Sequence, residues 1–435
     1  MTAAPRISRL ELIAAGVTLF MLAEAFLPRL LAPPSTGIPG DVPESTLLRF
    51  LWLPFYALIG LGLILSAHQS WRAIVRSPWL VALALLAIAS TMWSIDPELS
   101  FRRGIAVLAT TLMGIYLAAR FDWLTALRLL GSVWLILMLG SFVSGIVAPS
   151  FAVMHEIHPG AWMGGWSEKN ALGGHAARAA FLFAFLAWRD PAHRRAWAIG
   201  LIVSLALVLL SRSATALLGA MLGLGVLGAA WWMLKGRRFS LALIWAGVAF
   251  GSVAVLVYLT APGLLLGLIG KDETLTGRID IWIELAAAIE QKPALGYGYL
   301  AFWGLDSEPR YWLEKAVAWN APSGHNGWLD LAISLGLVGV LLFTIDLVTT
   351  GSRALVLALR SPAGVFALGF LAQFMLFAMS ESIVLAQNNI LWATFAFVSA
   401  KLALAPQQAA DQSMTPQSAA PRVGAARIAP ASTAR

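Results

Sequence analysis

Apolar runs separated by short polar breaks make up most of this chain. Runs that read as membrane helices cover residues 10–27, 47–66, 79–93, 104–119, 123–147, 171–188, 196–210, 214–234, 239–259, 327–349, 364–379 and 383–404. A bilayer core takes about 20 helical residues, and a run nearer 16 can recruit its flanks or thin the membrane locally. The pattern therefore predicts an all-α, polytopic membrane bundle of about twelve spans. No small-residue cleavage site follows the first run, so it reads as a retained helix rather than a signal peptide. The one long polar interruption, residues 268–326, carries an amphipathic helix at 277–291. On that helix Ile279, Trp282, Ile283, Ala286 and Ile289 fall on one face, with Asp280, Glu284 and Gln291 away from it. Thr276 suits the N-cap and Pro293 ends the helix. Residues 405–435 lack periodicity and apolar content, which predicts a disordered tail after a membrane domain of residues 1–404.

Composition agrees with the pattern. Hydrophobic residues make up 59% of the 435 positions and charged residues 12%, outside the range of soluble domains. Lys and Arg fix an orientation. With a cytoplasmic N-terminus, every inner connection is basic: Arg72 and Arg76, Arg120, Arg189 to Arg195, Lys235 to Arg238, and Arg353 to Arg360. The long polar loop then faces the periplasm, and an even span count returns the tail to the cytoplasm. The net charge of +8 reports this asymmetry and excludes a nucleic-acid reading. With no cysteine in the chain, disulfide and thiol chemistry are excluded. No Gly-rich phosphate loop, zinc-type spacing or paired acidic motif is present, so neither metal nor cofactor is expected, and a nucleotide-sugar enzyme is disfavoured. No inverted repeat supports a transporter.

Candidate chemistry gathers at the expected outer rim. Arg278 sits in the first turn of the amphipathic helix, where free N–H groups and the helix dipole also favour an anion; the alternative is a solvated Arg or one paired with Asp280. Arg212 lies in a break of few polar residues between two runs, where arginine usually faces a cavity or snorkels to headgroups. Lys169 and Asn170 lead into a helix on which His175 and Arg178 share a face and point into the bundle; His175 by itself reads as a structural histidine. His325, with Asn326 beside it and Asp330 a turn on, begins a span at the rim. An imidazole near its ordinary pKa of about 6.5 can act as general base at neutral pH, losing that ability below about pH 6; a helix-start His bonded to a carbonyl is the alternative. His155 and His158 lie in an outer loop with no constellation around them. Tyr297 and Tyr299 alternate with Gly296 and Gly298, an arrangement common in sugar-contacting loops, and Trp282 lies on the amphipathic helix.

These residues resemble the O-antigen ligase and polysaccharide polymerase superfamily of bacterial inner-membrane glycosyltransferases. His325-Asn326, nine residues, then Gly336 and Gly339 match its histidine motif. Arg212 with Leu217 resembles its arginine-to-leucine motif, with one extra spacer residue. Thr276-Gly277-Arg278, Trp282, Pro293 through Gly298 and Phe302-Trp303 resemble the exopolysaccharide repeat-unit polymerases, while Trp93 through Pro97 and Gly165 through Gly173 look like wider signatures. The resemblance spans about residues 90–400 and implies a GT-C-like bundle in the inner membrane. It implies an undecaprenyl-diphosphate-linked oligosaccharide donor and a glycan or lipid A–core acceptor, taken up at the periplasmic face without metal. Membrane lipids and other polysaccharide assembly proteins are the further implied partners. His325 would take the acceptor proton, and Arg278 and Arg212 would hold the diphosphate. Lys169, Asn170, Arg178, Asn326, Tyr297, Tyr299 and Trp282 would contact substrate. The Thr-Gly-Arg, Gly-Tyr-Gly-Tyr and Phe-Trp run favours a polymerase, with a ligase as the alternative and a flippase of the same lipid-linked glycan as the less favoured one.

Overall fold

A computed structural model describes residues 7–31, 46–156, 158–233, 278–318 and 320–404. Its principal helices are α1 (Arg9–Leu22), α2 (Thr46–Leu65), α3 (Ala67–Arg76), α4 (Pro78–Ala89), α5 (Pro97–Arg120), α6 (Trp123–Val147) and α7 (Lys169–Arg189), followed by α8 (Arg194–Leu210), α9 (Ala214–Met233), α10 (Arg278–Gln291), α11 (Glu308–Val317), α12 (Gly327–Ala358), α13 (Pro362–Ala378) and α14 (Ile390–Leu404). Among the described residues, extended pairing is limited to one bridge, Val153 with Trp162. The fold is an all-α membrane bundle, and the protein is an integral membrane protein. Six described helices are long and apolar enough to cross a bilayer, or seven if the pair bent by 99° between α2 and α3 is one span. Shorter apolar helices at Pro78–Met92, Pro362–Ala378 and Ile390–Leu404 add to them. The run expected at 239–259, the basic residues Lys235 to Arg238, the loop start through Thr276 and Gly277, and the tail from Ala405 lie outside the described residues.

Local sequence sets the helix starts. Asp96 and Asp122 accept N–H groups of Leu99 and Thr125 at 3.0 and 2.9 Å, and Pro97 follows its cap at a position where a missing N–H costs nothing. Small residues then let helices close on one another, as membrane packing requires. A Cβ at Gly114 of α5 would strike the backbone of α14 at Ala393 and Phe397. Buried Gln373 of α13 ties two neighbours, donating to Ala177 O at 3.2 Å and Gly219 O at 2.8 Å.

Polar latches hold the two ends. At one end Asp190 accepts from Arg128 at 2.7 Å and from Trp197 at 3.0 Å, joining α6, α7 and α8. Glu11 of α1 pairs there with Arg120 of α5. The opposite end carries the first turns of α7 and α12 together with the long polar loop. The amphipathic helix exists but buries a different face: Ile281 and Leu285 are fully buried, while Ile283 is 61% exposed and Ala286 is exposed as well. Trp282, Ala288 and Ile289 pack on the side of the buried pair. Contacts with the loop, and not the strongest apolar stripe, decide which side turns inward.

Candidate active site

A broken helix frames the site. α12 leaves helical geometry at Gly336, with φ 63° and ψ −166°, a region open in practice only to glycine. Such a break strands carbonyls and amides that lipid cannot satisfy. Residues 293–298 supply the partners. Tyr297 N and Gly298 N donate to the carbonyls of Ile333 and Ser334 at 2.9 and 3.0 Å, while Leu337 N and Val338 N donate to those of Pro293 and Ala294 at 2.8 and 3.2 Å. A Cβ on Gly296 or Gly336 would strike the opposing backbone. The corner at 93–97 fastens the other side of this loop: Trp93 Nε1 donates to Leu295 O at 2.9 Å, and Ile95 N to Tyr297 O at 3.0 Å. Three motifs far apart in sequence thus form one backbone unit.

His325 stands at the near end of α12 in a left-handed conformation, φ 46°, which costs a non-glycine residue about 1–3 kcal/mol and persists only where neighbours enforce it. The enforcement is visible. Asn326 caps α12, accepting from Trp328 N at 3.0 Å and Leu329 N at 3.3 Å. Buried Asp330 accepts from Gly324 N and Trp303 Nε1, both at 2.9 Å, and from Ser382 Oγ at 2.5 Å. Trp282 Nε1 donates to Gly324 O at 2.8 Å. Asn326, Trp282 and Asp330 therefore hold the turn that presents His325.

Arg278, the first residue of α10, leans on the loop after α13. It donates to Ser380 O at 2.6 Å, and its guanidinium lies 3.7 Å from Glu381. It is close enough to Glu168, the N-cap of α7, to offset part of the upward shift that burial gives that carboxyl, which stays raised. Burial first, and the Arg278 cation second, push His325 down to about 4. This corrects the value near 6.5 expected from sequence: the imidazole is neutral, and able to accept a proton, well below pH 6.

Arg212 tops the α8–α9 turn, also left-handed at φ 51°, and donates to Pro159 O at 3.1 Å. Ser213 beside it donates to Asn170 at 2.9 Å, and Lys169 lies within electrostatic reach of Arg212. Lys169 in turn helps burial lower His158. The loop holding His155 and His158, which has no constellation in the sequence, folds onto this group. Arg212, Lys169 and Asn170 form one cluster; Arg278 and His325 form a second, joined to the first through Glu168 and Lys169 on adjacent positions.

Deeper in the bundle, His175 stacks on Trp166 with ring centroids 4.4 Å apart. Arg178 lies over Phe377 at 3.9 Å, and among the described residues its buried Nε and Nη2 have no hydrogen-bond acceptor. Glu381 is within electrostatic reach of it, so one carboxylate serves both Arg178 and Arg278. Tyr297 and Tyr299 are built into the frame: their hydroxyls donate to Ala288 O at 3.0 Å and Leu385 O at 2.5 Å. Sequence reasoning passed over Glu381 and Ser382 and gave Glu168 no role of its own. A carboxylate in the short polar break at 380–389 was the available signal.

The chain has relatives among known proteins. A family model described as O-antigen ligase matches residues 199–344, a span containing Arg212, Arg278, His325 and the helix break. The Exopolysaccharide production protein ExoQ of Rhizobium meliloti (strain 1021) is 30% identical over 311 residues, covering 69% of this chain and 68% of the relative. The chain belongs to the O-antigen ligase and polysaccharide polymerase family.

Proposed function

We propose that this protein is an inner-membrane glycosyltransferase that polymerises oligosaccharide repeat units carried on undecaprenyl diphosphate, working at the periplasmic face without metal. The observation that carries the reading is the pairing of a neutral, backbone-fixed imidazole at His325 with cations at Arg278, Arg212 and Lys169 around one rim. In a single inverting displacement, the acceptor hydroxyl oxygen attacks the anomeric carbon and its proton passes to His325. The bond from that carbon to the diphosphate oxygen breaks, and the electron pair leaves with the undecaprenyl diphosphate. Arg278 and Arg212 bind the leaving diphosphate through planar guanidinium forks. Charges positioned before reaction in a poorly hydrated site lower such a barrier by several kcal/mol. Lys169 and Asn170 contact the diphosphate or first sugar, and the unsatisfied donors of Arg178 extend the cationic lining inward.

The name of the Rhizobium relative, an exopolysaccharide production protein, supports the polymerase. The family description, O-antigen ligase, supports a second reading in which the acceptor is lipid A–core. Surface glycans of a deletion strain separate the two. Single repeats retained with long chains lost is the outcome for a polymerase, and full-length unattached polymer is the outcome for a ligase.

A further inference from the structure

A cavity of about 970 Å³ opens beside the turn that presents His325. Its walls are the first turns of α5, the loop at 299–306 and the loop at 382–389. It reaches the turn through Ser323, Asp330 and Ser382, whose side chains are mutually bonded: Ser323 Oγ lies 2.9 Å from Ser382 Oγ, which donates to Asp330. Neither Arg278, Arg212 nor Lys169 lines it. Resting on the transferase reading above, we infer that this cavity binds the acceptor as an uncharged oligosaccharide, delivering its terminal hydroxyl to the His325 turn.

Three observations support the assignment. The volume is at the upper end of small-molecule pockets, room for an oligosaccharide and not merely one sugar. The wall carries both carboxylates (Asp96, Glu98, Asp306) and guanidinia (Arg102, Arg103, Arg310), so hydroxyl groups find donors and acceptors together. Several wall groups are already committed to the fold: Asp96 caps α5, and Arg310 is paired with Glu314 at 2.8 Å. Glu98 and Asp306 remain exposed, and the buried Gln387 Oε1 has no hydrogen-bond donor among the described residues. Leu305, 70% exposed, offers an apolar edge on the same wall.

The test uses full-length protein in nanodiscs and, as probe, the oligosaccharide released by mild acid from the host's own lipid-linked repeat. Binding is read by saturation-transfer NMR without donor, and transfer kinetics are read separately for each substrate. Leu305→Trp adds bulk at the exposed edge of the cavity, and Glu98→Gln with Asp306→Asn replaces one acceptor oxygen of each carboxylate by an amide donor at constant size. Each hydrogen bond is worth about 1 kcal/mol, so the double variant should weaken probe binding, and raise the acceptor KM, about 10-fold or more. Donor KM should not move. Wild-type probe binding in both variants, no binding to wild type, or a loss falling on donor KM would each overturn the assignment. Binding that depends on the cavity without any transfer in wild type would keep the site and reject the transferase reading; transfer insensitive to both variants would do the reverse.

Discussion

Replacing Gly336 by alanine tests the frame on which the site depends. Alanine must adopt φ 63° and ψ −166°, at a cost of about 1–3 kcal/mol, and its Cβ would strike the Ala294 carbonyl. That carbonyl belongs to the backbone and cannot swing aside as a side-chain tip could. Relief requires residues 293–298 to retreat, which breaks first the bonds from Leu337 N to Pro293 O and Val338 N to Ala294 O, 2.8 and 3.2 Å. At about 1 kcal/mol each, with little water nearby to replace them, the total is about 3–5 kcal/mol. Purified Gly336→Ala should melt several degrees lower, be cut faster by protease within 293–304, and lose most transfer activity because Trp303 and Asp330 share the displaced frame. Gly351→Ala is the control: a Cβ there meets nothing within 4 Å, and stability should hold or rise. Wild-type melting, protection and activity in Gly336→Ala would show that α12 is not broken there.

Further expectations follow from the site. Arg278→Lys and Arg212→Lys should each lower kcat/KM about 10- to 100-fold, since a point charge cannot reproduce a planar fork, whereas Lys315→Ala should change it less than twofold; normal kinetics in Arg278→Lys would return that residue to a structural role. Asp330→Asn should cut kcat about 10-fold by loosening the His325 turn, with donor affinity unchanged, and a loss of donor affinity instead would contradict a positioning role. The active imidazole is the neutral form and its pKa is held at about 4, so kcat/KM should stay level from pH 7 to about 5 and fall below about 4. Bound diphosphate offsets Arg278, so the acid limb of kcat should lie higher than that of kcat/KM; a kcat/KM limb at 6.5 would deny the burial of His325. Because the chain has no cysteine, Glu290→Cys and Ser352→Cys, both at exposed positions, report sidedness with an impermeant thiol reagent. Labelling of the latter alone in spheroplasts would invert the topology.

Periodic features were legible in the sequence and contact-dependent ones were not. Apolar run length located α6 at its observed bounds, whereas α5 begins at Pro97, before the apolar run at 104–119, because its first turns are polar. The inward face of α10 was misjudged because Ile281 and Leu285 are buried by the folded-back loop at 297–303, which no local period encodes. Likewise, His325, Gly336 and residues 293–298 were visible as separate motifs, but their union requires the non-helical turn at Gly336. The partners of Arg278, Ser380 and Glu381, lie about a hundred residues away, on a loop whose polarity alone does not announce a pairing. The pKa of His325 depends on burial and on a cation from another element, so sequence could supply only the ordinary value.

The most direct test of the proposed mechanism is transfer from a purified lipid-linked repeat by wild type and His325→Gln, in EDTA, followed as polymer length against time. General-base catalysis contributes a factor of about 10²–10⁴, and glutamine can keep a hydrogen bond but cannot take the proton. The account predicts wild-type polymer growth in EDTA and at least a 100-fold slower rate in His325→Gln at normal protein level and melting temperature. Full-speed polymerisation by His325→Gln, or wild-type activity lost in EDTA and restored by a divalent cation, would contradict it.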